Sequence, residues 1–497
     1  MNIYHKRPIF RRRSESNVYR MFLWVVLILG GIWMIRMVQR GEIKPLFQPT
    51  ATPTRLAESY ALEAEAQFTA GQLEAAITAY REAVHVDPNN AGAWAKLARI
   101  QTYSTALLVT DPERKDRLAE ALESIDKAVS LAPDDSTVHA IRAFVLDWNA
   151  SPNLVCTAEE VAEKGNCKEV GALLTNADEE AKRAIQLDSA NTLALAFYAE
   201  ILVDEQRWTQ AESYIQQALE QDSSLMDVHR VHAYVLESLG QYTLAIEAYD
   251  RAINLAPNLT FLHLRAGANY RRLAFDSPNE EIQRQLYEKS LEYFAQCARI
   301  NEQLGVEDPV PYLSISRTYS QMGEFFIAAR NVQKALEFEP DNPDIYGQLG
   351  IIYFKSRNYE GSIPALKCAV RGCSGEDSCK GRGLEGCDEE NSPITIESLA
   401  LSPNTVVYYY TYGSVLAALS RPKDNQCPEA MDVLSEVKAA FSSDQDIAGI
   451  VAAGEEICIS LAQGEIPGSG STPEATLDAI LTEEPVMLET ATPTVTP

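Results

Sequence analysis

The chain has 497 residues, of which 46 % are apolar and 23 % charged, and its formal net charge is −27. The apolar fraction is ordinary for a folded protein, which excludes wholesale disorder, a collagen-like chain and a polytopic membrane protein. The charge is unevenly distributed, because the first 44 residues carry nine Lys and Arg against two Glu. The rest of the chain is strongly acidic, and we expect it to repel nucleic acid.

An apolar segment near the amino terminus predicts a membrane anchor. Residues 21–38 contain a single Arg in an otherwise uncharged apolar run, which is short but sufficient for a spanning helix. We predict a basic cytoplasmic tail at residues 1–20 and a transmembrane signal anchor at residues 21–38. A cleaved secretory signal peptide is the alternative. The segment that follows, IRMVQRGEIK, lacks the small residues that signal peptidase needs.

Two patterns place the acidic body outside the cytoplasm. Six Lys and Arg lie in the first 20 residues and four at positions 36–55, a bias that favours a cytoplasmic amino terminus. Six of the nine cysteines are concentrated in residues 368–458, as in proteins of oxidising compartments. The chain is therefore predicted to be a single-pass protein of the cell membrane with an extracytoplasmic body.

Two segments of low apolar content flank the part that is expected to fold. We predict a Thr/Pro linker at residues 39–54 and a disordered acidic Thr/Pro tail at residues 464–497, because neither can bury enough apolar surface. Residues 55–463 show helical periodicity throughout and few β-strand patterns. This central part is predicted to be a single helical domain.

Small and aromatic residues recur every 34 positions in the central part. The clearest series are Ala177, Ala211 and Ala245; Ala184, Ala218 and Ala252; Ala199, Ala233 and Gly267; and Tyr312 and Tyr346. In the most regular unit, residues 226–259, Gly240 stands in the turn and Pro257 follows the second helix. Small residues where two helices cross, with a period of 34, indicate stacked helix pairs. The pattern resembles the tetratricopeptide repeat family.

The resemblance implies an all-α fold, a right-handed α-solenoid of eight or nine helix hairpins, preceded here by one transmembrane helix. Hairpins are expected to begin near residues 57, 91, 136, 192, 226, 260, 309 and 343, with a degenerate ninth near 406. Insertions are predicted at about residues 104–115, 149–171 and 274–286, and a Cys-rich insertion at 371–400. The first three add 11, 22 and 11 residues between the helices of one repeat, numbers that lengthen helices by nearly whole turns.

The cysteines favour disulfides over a metal site. Cys368, Cys373, Cys379 and Cys387 lack the paired C-x-x-C spacing of structural zinc sites and have no His nearby. The disulfide candidates are Cys156 with Cys167, Cys427 with Cys458, and Cys373 and Cys387 within the insertion. Cys297 occupies a position where other repeats have a crossing Ala, so we expect it to be buried and unpaired.

The chain shows no recognisable catalytic motif. Its six His are scattered, without an H-E-x-x-H or a Ser-His-Asp arrangement. Gly381, Gly383 and Gly386 form a G-x-G-x-x-G string, but they lie in a loop between cysteines rather than between a strand and a helix, which argues against phosphate binding. We therefore expect no enzymatic activity, cofactor, metal or small-molecule substrate.

The resemblance also implies a concave groove lined by the first helix of each pair. The residues expected to face this groove are predominantly basic. They are Arg230, Tyr234, Arg271, Arg272, Arg317, Phe354 and Lys355. A basic strip can bind an acidic peptide, a terminal carboxylate or an anionic polymer, although ordinary solvated Arg is the alternative. Chaperone-binding members clamp a carboxylate at positions that are occupied here by Leu264, Ala268 and Gly347, so that activity is not implied.

These patterns together predict a non-catalytic scaffold. It would be anchored in the membrane and would bind a protein or peptide partner in its concave groove at the cell envelope. The alternative is an accessory subunit of an envelope enzyme, secretion or polymer-export complex.

Overall fold

The computed structural model describes residues 17–39 and 55–463, apart from 109, 157–166, 385 and 389–393. Most of the predicted basic tail and of the linker, the acidic tail and parts of three insertions lie outside the described residues. The described part is helical, with isolated β-bridges between Cys373 and Ile396 and between Arg421 and Asp424. The predicted all-α class is confirmed.

The first helix, α1 (Val18–Gln39), belongs to a separate unit, residues 1–55. Residues 18–37 have a mean hydropathy of 2.0 and their side chains are largely exposed. A helix of this length and composition fits a membrane span. It also fits an amino-terminal signal sequence.

The second unit is a solenoid. Within its described residues, 18 helices pair in sequence into nine hairpins, each packed against the next. The first helices of the hairpins are α2 (Ala57–Thr69), α4 (Ala91–Ser104), α6 (Ser136–Asn149), α9 (Thr192–Asp204), α11 (Met226–Ser238), α13 (Thr260–Phe275), α15 (Val310–Gln321), α17 (Pro343–Lys355) and α20 (Val406–Leu419).

The second helices complete the hairpins. They are α3 (Leu73–Val86), α5 (Asp111–Leu131), α8 (Lys168–Leu187), α10 (Trp208–Gln221), α12 (Tyr242–Leu255), α14 (Glu280–Leu304), α16 (Phe325–Phe338), α18 (Tyr359–Val370) and α21 (Cys427–Ala440). Two short helices lie in connections, α7 (Pro152–Val155) and α19 (Gly375–Gly381), and α22 (Gln445–Ala462) packs on the last hairpin.

Small residues allow the helices of a pair to approach closely. Ala177, Ala211 and Ala245 are fully buried. Gly267 replaces the alanine found at this register in neighbouring repeats because a Cβ there would lie 2.6 Å from the Phe294 ring. The 34-residue series therefore marks the helix crossings.

Three second helices are longer than the others. α3, α10 and α12 have 14 residues each, whereas α5, α8 and α14 have 21, 20 and 25. Much of the added sequence in these repeats thus extends the amino-terminal end of the second helix. At α5 the extension begins with a capping box between Thr110 and Glu113, which satisfies backbone donors of the first turn.

Five hairpins share one three-residue turn. Its middle residue has a left-handed backbone in each case. These residues are Gly71, Gln206, Gly240, Gly323 and Arg357, with φ between 61° and 84°. The third turn residue donates its N–H to a carbonyl five positions earlier, as Gln241 does to Leu236 at 2.8 Å. This bond terminates the first helix and directs the chain into the second.

A side chain at the fourth position of the first helix caps the preceding loop in five repeats. A ring nitrogen or hydroxyl donates to the backbone carbonyl six residues earlier, at 2.8–3.0 Å. The pairs are Trp94 with Pro88, His139 with Pro133, His229 with Ser223, His263 with Pro257, and Tyr346 with Pro340. Three of the six His thus have a structural role.

Eight of the nine cysteines form disulfides. The bonds are Cys156–Cys167, Cys368–Cys373, Cys379–Cys387 and Cys427–Cys458. Cys373 and Cys387 therefore each close a short loop with a sequence neighbour, and Cys427–Cys458 ties the last hairpin to α22. Cys297 is fully buried and unpaired.

Candidate ligand cavity inside the solenoid

The solenoid coils tightly enough for its second repeat to touch its fifth and sixth. The Arg99 guanidinium pairs with Asp227, and the Tyr103 ring stacks on Phe261 with centroids 5.1 Å apart. At the first turn, a Cβ on Gly71 would lie 2.1 Å from the Asn258 carbonyl oxygen. The groove that the sequence predicted as an open surface is therefore bridged at these repeats by the chain itself.

Beyond the bridge, the first helices of the third to seventh repeats surround a cavity of about 370 Å³. Its apolar walls include Trp148, Leu154, Val170, Leu174, Phe261 and Leu264. Gln206, which is exposed, also contributes to the lining, so the cavity is open to solvent on that side. The volume lies at the small end of the range for ligand pockets, about 300–1,000 Å³.

Four of the seven predicted groove residues line this cavity. They are Arg230, Tyr234, Arg271 and Arg317. Arg272 does not line it and pairs with Asp276 at 3.2 Å instead, while Phe354 is buried against Tyr359 and Lys355 is not among the lining residues.

Two of these four residues are buried arginines that are engaged within the chain. Arg230 is 6 % exposed and donates from both terminal nitrogens to the Glu200 carboxylate, at 2.8 and 2.6 Å. Arg271 is 4 % exposed, lies 5.5 Å from the Phe294 ring centroid and donates to the Ser314 carbonyl at 3.4 Å. These two guanidinium groups are therefore occupied by groups of the chain itself, whereas Arg317 lines the cavity and is half-buried. The basic binding strip stays a prediction.

Arg230 belongs to a buried network that joins the second, fourth and fifth repeats. Its Nε donates to the Tyr103 hydroxyl at 3.2 Å, and that hydroxyl donates to Asp227 at 2.5 Å. Burial alone would raise the pKa of Asp227, but the Arg99 and Tyr103 side chains hold it below its ordinary value. The two Arg and two carboxylates balance, so this network is neutral.

Two carboxyl groups beside this network lack such compensation. Asp147 is 5 % exposed, and its Oδ1 accepts no hydrogen bond from a described donor. Asp204 faces it and accepts from the Tyr234 hydroxyl at 2.5 Å. Burial, followed by the Asp204 and Glu200 charges, raises the pKa of Asp147 well above its usual range. Burial likewise raises the pKa of Asp204 to about 7, so the pair shares a proton at neutral pH.

The acidic residues of the cavity were not among the residues predicted from the sequence. Glu200 interrupts the apolar run TLALAFYAEILVD of α9, and Asp204 ends it. An acid within such a run requires a buried partner, and this signal was available. Asp147 carries the same signal, because it stands between Leu146 and Trp148 in the apolar run AFVLDW of α6. That it faces Asp204 depends on how consecutive repeats stack.

No other chemistry emerges from the described residues. They contain no group of three or more His, Cys, Asp or Glu that could hold a metal ion. Gly383 and Gly386 follow the carboxyl end of α19, so they do not form the helix amino terminus that a phosphate loop requires.

Two family models match the sequence. One, a TPR repeat, matches residues 65–105, and the other, a tetratricopeptide repeat, matches residues 181–260. The matched segments fall within the first, second, fourth and fifth hairpins and the end of the third. A search of curated proteins finds no match.

Several solved structures resemble the fold. The human IFIT1 dimer with PPP-AAAA is 17 % identical, covers 83 % of this chain and 92 % of its own, and gives a TM-score of 0.48. A thermophilic TPR protein from Thermus thermophilus is 16 % identical, with coverages of 43 % and 98 % and a TM-score of 0.33. YrrB, a TPR protein with an unusual peptide-binding site, is 19 % identical, with coverages of 48 % and 99 % and a TM-score of 0.28.

Proposed function

Because the chain is a tetratricopeptide-repeat protein, a class suited to protein interaction, we propose that it is a non-catalytic scaffold that binds a partner segment in the cavity of its solenoid. The cavity carries this proposal. Five first helices converge on it, and its walls combine apolar side chains with buried charged groups. Such a combination is typical of recognition sites. A cavity of about 370 Å³ suits a short segment rather than a helix, which with its side chains is about 10–12 Å across.

The scaffold is proposed to be held at the cell envelope by α1, with the solenoid outside the cytoplasm. The length and apolar composition of residues 18–37 support an anchor. The four disulfides support an extracytoplasmic solenoid, because cytosolic thiols are generally kept reduced. Protease treatment of intact cells tests this topology. Digestion of the solenoid from outside is the expected result, and full protection would contradict it.

Site-specific photocrosslinking in the full chain tests partner binding. A photoreactive residue at Gln206, on the open side of the cavity, is expected to capture a defined partner segment. The same residue at Phe326, which is 77 % exposed and outside the lining, is the control. Equal products at the two positions would contradict binding in the cavity.

A cavity-filling variant separates the cavity from the surrounding surface. Ala268 contributes to the lining, so Ala268→Trp is expected to abolish the product at Gln206. Ala439→Trp, an exposed alanine on α21, is the matched control and should leave it unchanged. Crosslinking that survives Ala268→Trp would place the partner elsewhere.

A further inference from the structure

Asp147 and Asp204 are the only carboxyl groups of the described cavity lining that are left without a full counter-charge. The third lining acid, Glu200, is paired with Arg230 through two hydrogen bonds. Arg99 pairs with Asp227, and Arg265 pairs with Glu237. Of the cavity arginines, Arg230 and Arg265 are thus paired with other acids, and Arg271 donates to the Ser314 carbonyl. Asp147 and Asp204 face each other in one recess of the cavity, which we call the acidic recess.

We propose that this acidic recess, formed by Asp147 and Asp204, binds the cationic end of a Lys or Arg side chain from the partner segment. The inference rests on the proposed function and specifies its partner. Asp147 is buried and Asp204 is half-buried. A carboxyl pair held away from water without its own cation is costly to the fold, and such costs are typical of binding sites. Asp147 Oδ1, which accepts no hydrogen bond from a described donor, is available to a donor brought in by a ligand.

The surroundings of the recess suit a long basic side chain. Leu154, Val170 and Leu174 line the same cavity and can pack along methylene groups, and Trp148 contributes an aromatic surface. The Trp148 indole N–H is already used by Glu200, at 3.1 Å, so its ring rather than its polar atom is available to a ligand. Lys and Arg combine an apolar stem with a charged end, which matches this arrangement.

The charged groups around the recess favour a basic partner segment, whereas the sequence led us to expect an acidic one. A basic strip predicted an acidic partner, but Arg230 is neutralised by Glu200, and Arg271 is engaged by Ser314 and Phe294. The one guanidinium group that faces the recess, among the described residues that act on the pair, is that of Arg230, and it pairs with Glu200. A metal ion is not favoured, because the described residues hold no suitable group of three ligands.

Binding of a cation should be linked to loss of a proton from the recess. The groups that face Asp147 and Asp204 are Glu200 on α9 and Arg230 and Tyr234 on α11, whereas α7 and α8 contribute apolar side chains to the same wall. Because the pair holds a proton at neutral pH, an arriving ammonium or guanidinium group displaces it. Affinity should therefore rise with pH, by up to about tenfold per pH unit for one released proton.

Peptide binding to the full chain in detergent micelles tests the proposal. The probes are acetyl-Gly-Gly-X-Gly-Gly-amide peptides in which X is Lys, Arg, norleucine or Glu, together with free butylammonium, measured by calorimetry at pH 6 and pH 8. At pH 8 the Lys or Arg peptide should bind at least about tenfold more tightly than the norleucine peptide, the lower end expected for a charge-assisted hydrogen bond. The Glu peptide should bind more weakly than the norleucine peptide.

Isosteric variants assign the preference to the recess. Asp147→Asn and Asp204→Asn should each remove most of the advantage of the basic peptides. Asp178→Asn, which removes a buried carboxyl on α8 outside the cavity lining, should retain it. Melting curves check that the variants fold. If either recess variant fails to fold, the proposal is tested by peptide binding to the wild-type chain at pH 6 and pH 8. Only the basic peptides should gain affinity between these pH values, and an equal gain for the norleucine peptide would contradict the proposal.

Failure of the acidic recess can be distinguished from failure of partner binding in the cavity. Equal affinity for Lys and norleucine peptides, or a preference that survives both recess variants, overturns the inference. Butylammonium binding as tightly as the Lys peptide also overturns it, since the recess would then serve a small amine rather than a side chain. If these results coincide with specific crosslinking at Gln206, the inference fails while partner binding in the cavity stands. Loss of that crosslinking itself means that the proposed function fails.

Discussion

Arg99 and Asp227 are 128 positions apart in the sequence, yet Arg99 Nε lies 2.9 Å from Asp227 Oδ1 and Arg99 Nη2 lies 2.5 Å from Asp227 Oδ2. The pair joins the first helix of the second repeat to that of the fifth. Contacts in solenoids are usually restricted to neighbouring repeats. This ion pair therefore joins repeats that are not neighbours along the solenoid.

Removal of one partner of this pair should be costly. Arg99→Met leaves the Asp227 carboxylate buried, with a side chain only 4 % exposed, and we expect a loss of about 3 kcal/mol in the free energy of unfolding. Urea denaturation measures it. Arg81→Met, which breaks the exposed pair with Glu120, is the control and should cost less than about 1 kcal/mol. Equal losses would show that the bridge adds no stability.

Substitution of Gly71 should loosen the contact between the first turn and the Pro257–Thr260 loop. Gly71→Ala forces an alanine to adopt a φ of 84° and places its Cβ against the Asn258 carbonyl. We expect a loss of more than about 1 kcal/mol. Gly449→Ala, in the exposed interior of α22 with open space around it, should instead gain about 0.5–1 kcal/mol. Thermal melts of both variants would refute this account if Gly71→Ala proved neutral.

The Asp147 and Asp204 pair should make stability depend on pH. The folded chain holds protons on these carboxyls that the unfolded chain releases near pH 4, so their contribution to stability falls as pH rises from about 4 to 7. The Asp204→Asn variant lacks one of these carboxyl groups and therefore loses less stability as pH rises. At pH 8 its free energy of unfolding should exceed that of the wild type by at least about 1 kcal/mol, and at pH 5 the difference should be smaller. Urea titrations at the two pH values measure it. Asp134→Asn, on an 81 % exposed side chain, should show no such gain.

The donor at the fourth helix position should contribute measurably to each repeat that has one. His263→Leu removes the 2.9 Å hydrogen bond to the Pro257 carbonyl, and we expect a loss of about 1 kcal/mol. His85→Leu alters an exposed His in α3 that lies outside this register and should be nearly neutral. A similar small effect in both would mean that water replaces the bond without cost.

The four disulfides leave one free thiol, that of Cys297, for alkylation. Alkylation of the denatured, unreduced chain should label Cys297 alone, and alkylation of the folded chain should label no cysteine, because Cys297 is fully buried. Peptide mass spectrometry identifies the labelled site. Label on Cys156 or Cys379 in the denatured chain would show that these pairs are reduced, and would weaken the extracytoplasmic assignment.

Local regularity explains what the sequence predicted well. The spacing of residues such as Ala211 and Ala245 depends on contacts within one repeat and its neighbour, so the 34-residue period located the hairpins. The exchange of Ala for Gly267 was visible in the same way, although its cause, the Phe294 ring, required the structure.

The path of the superhelix could not be predicted in the same manner. Small rotations between repeats accumulate over several units, and only their sum brings Arg99 to Asp227 or Tyr103 to Phe261. For this reason the sequence could suggest that Arg230 faces the interior of the coil, where it lines the cavity, but could not show its pairing with Glu200. A charged residue can be placed on a helix face from sequence alone, but its partner across the coil cannot.

The shared three-residue turn keeps the same backbone geometry with different side chains at its middle position. Gln206 and Arg357 occupy the left-handed position that glycine fills in three other repeats, at a cost of order 1 kcal/mol each. Gln206 also borders the cavity. Evolution can therefore exchange the residue at this corner, and with it the polarity of the cavity entrance, while the helices beneath keep their packing. The proposed binding selectivity of the cavity can therefore be altered at this position without redesign of the scaffold.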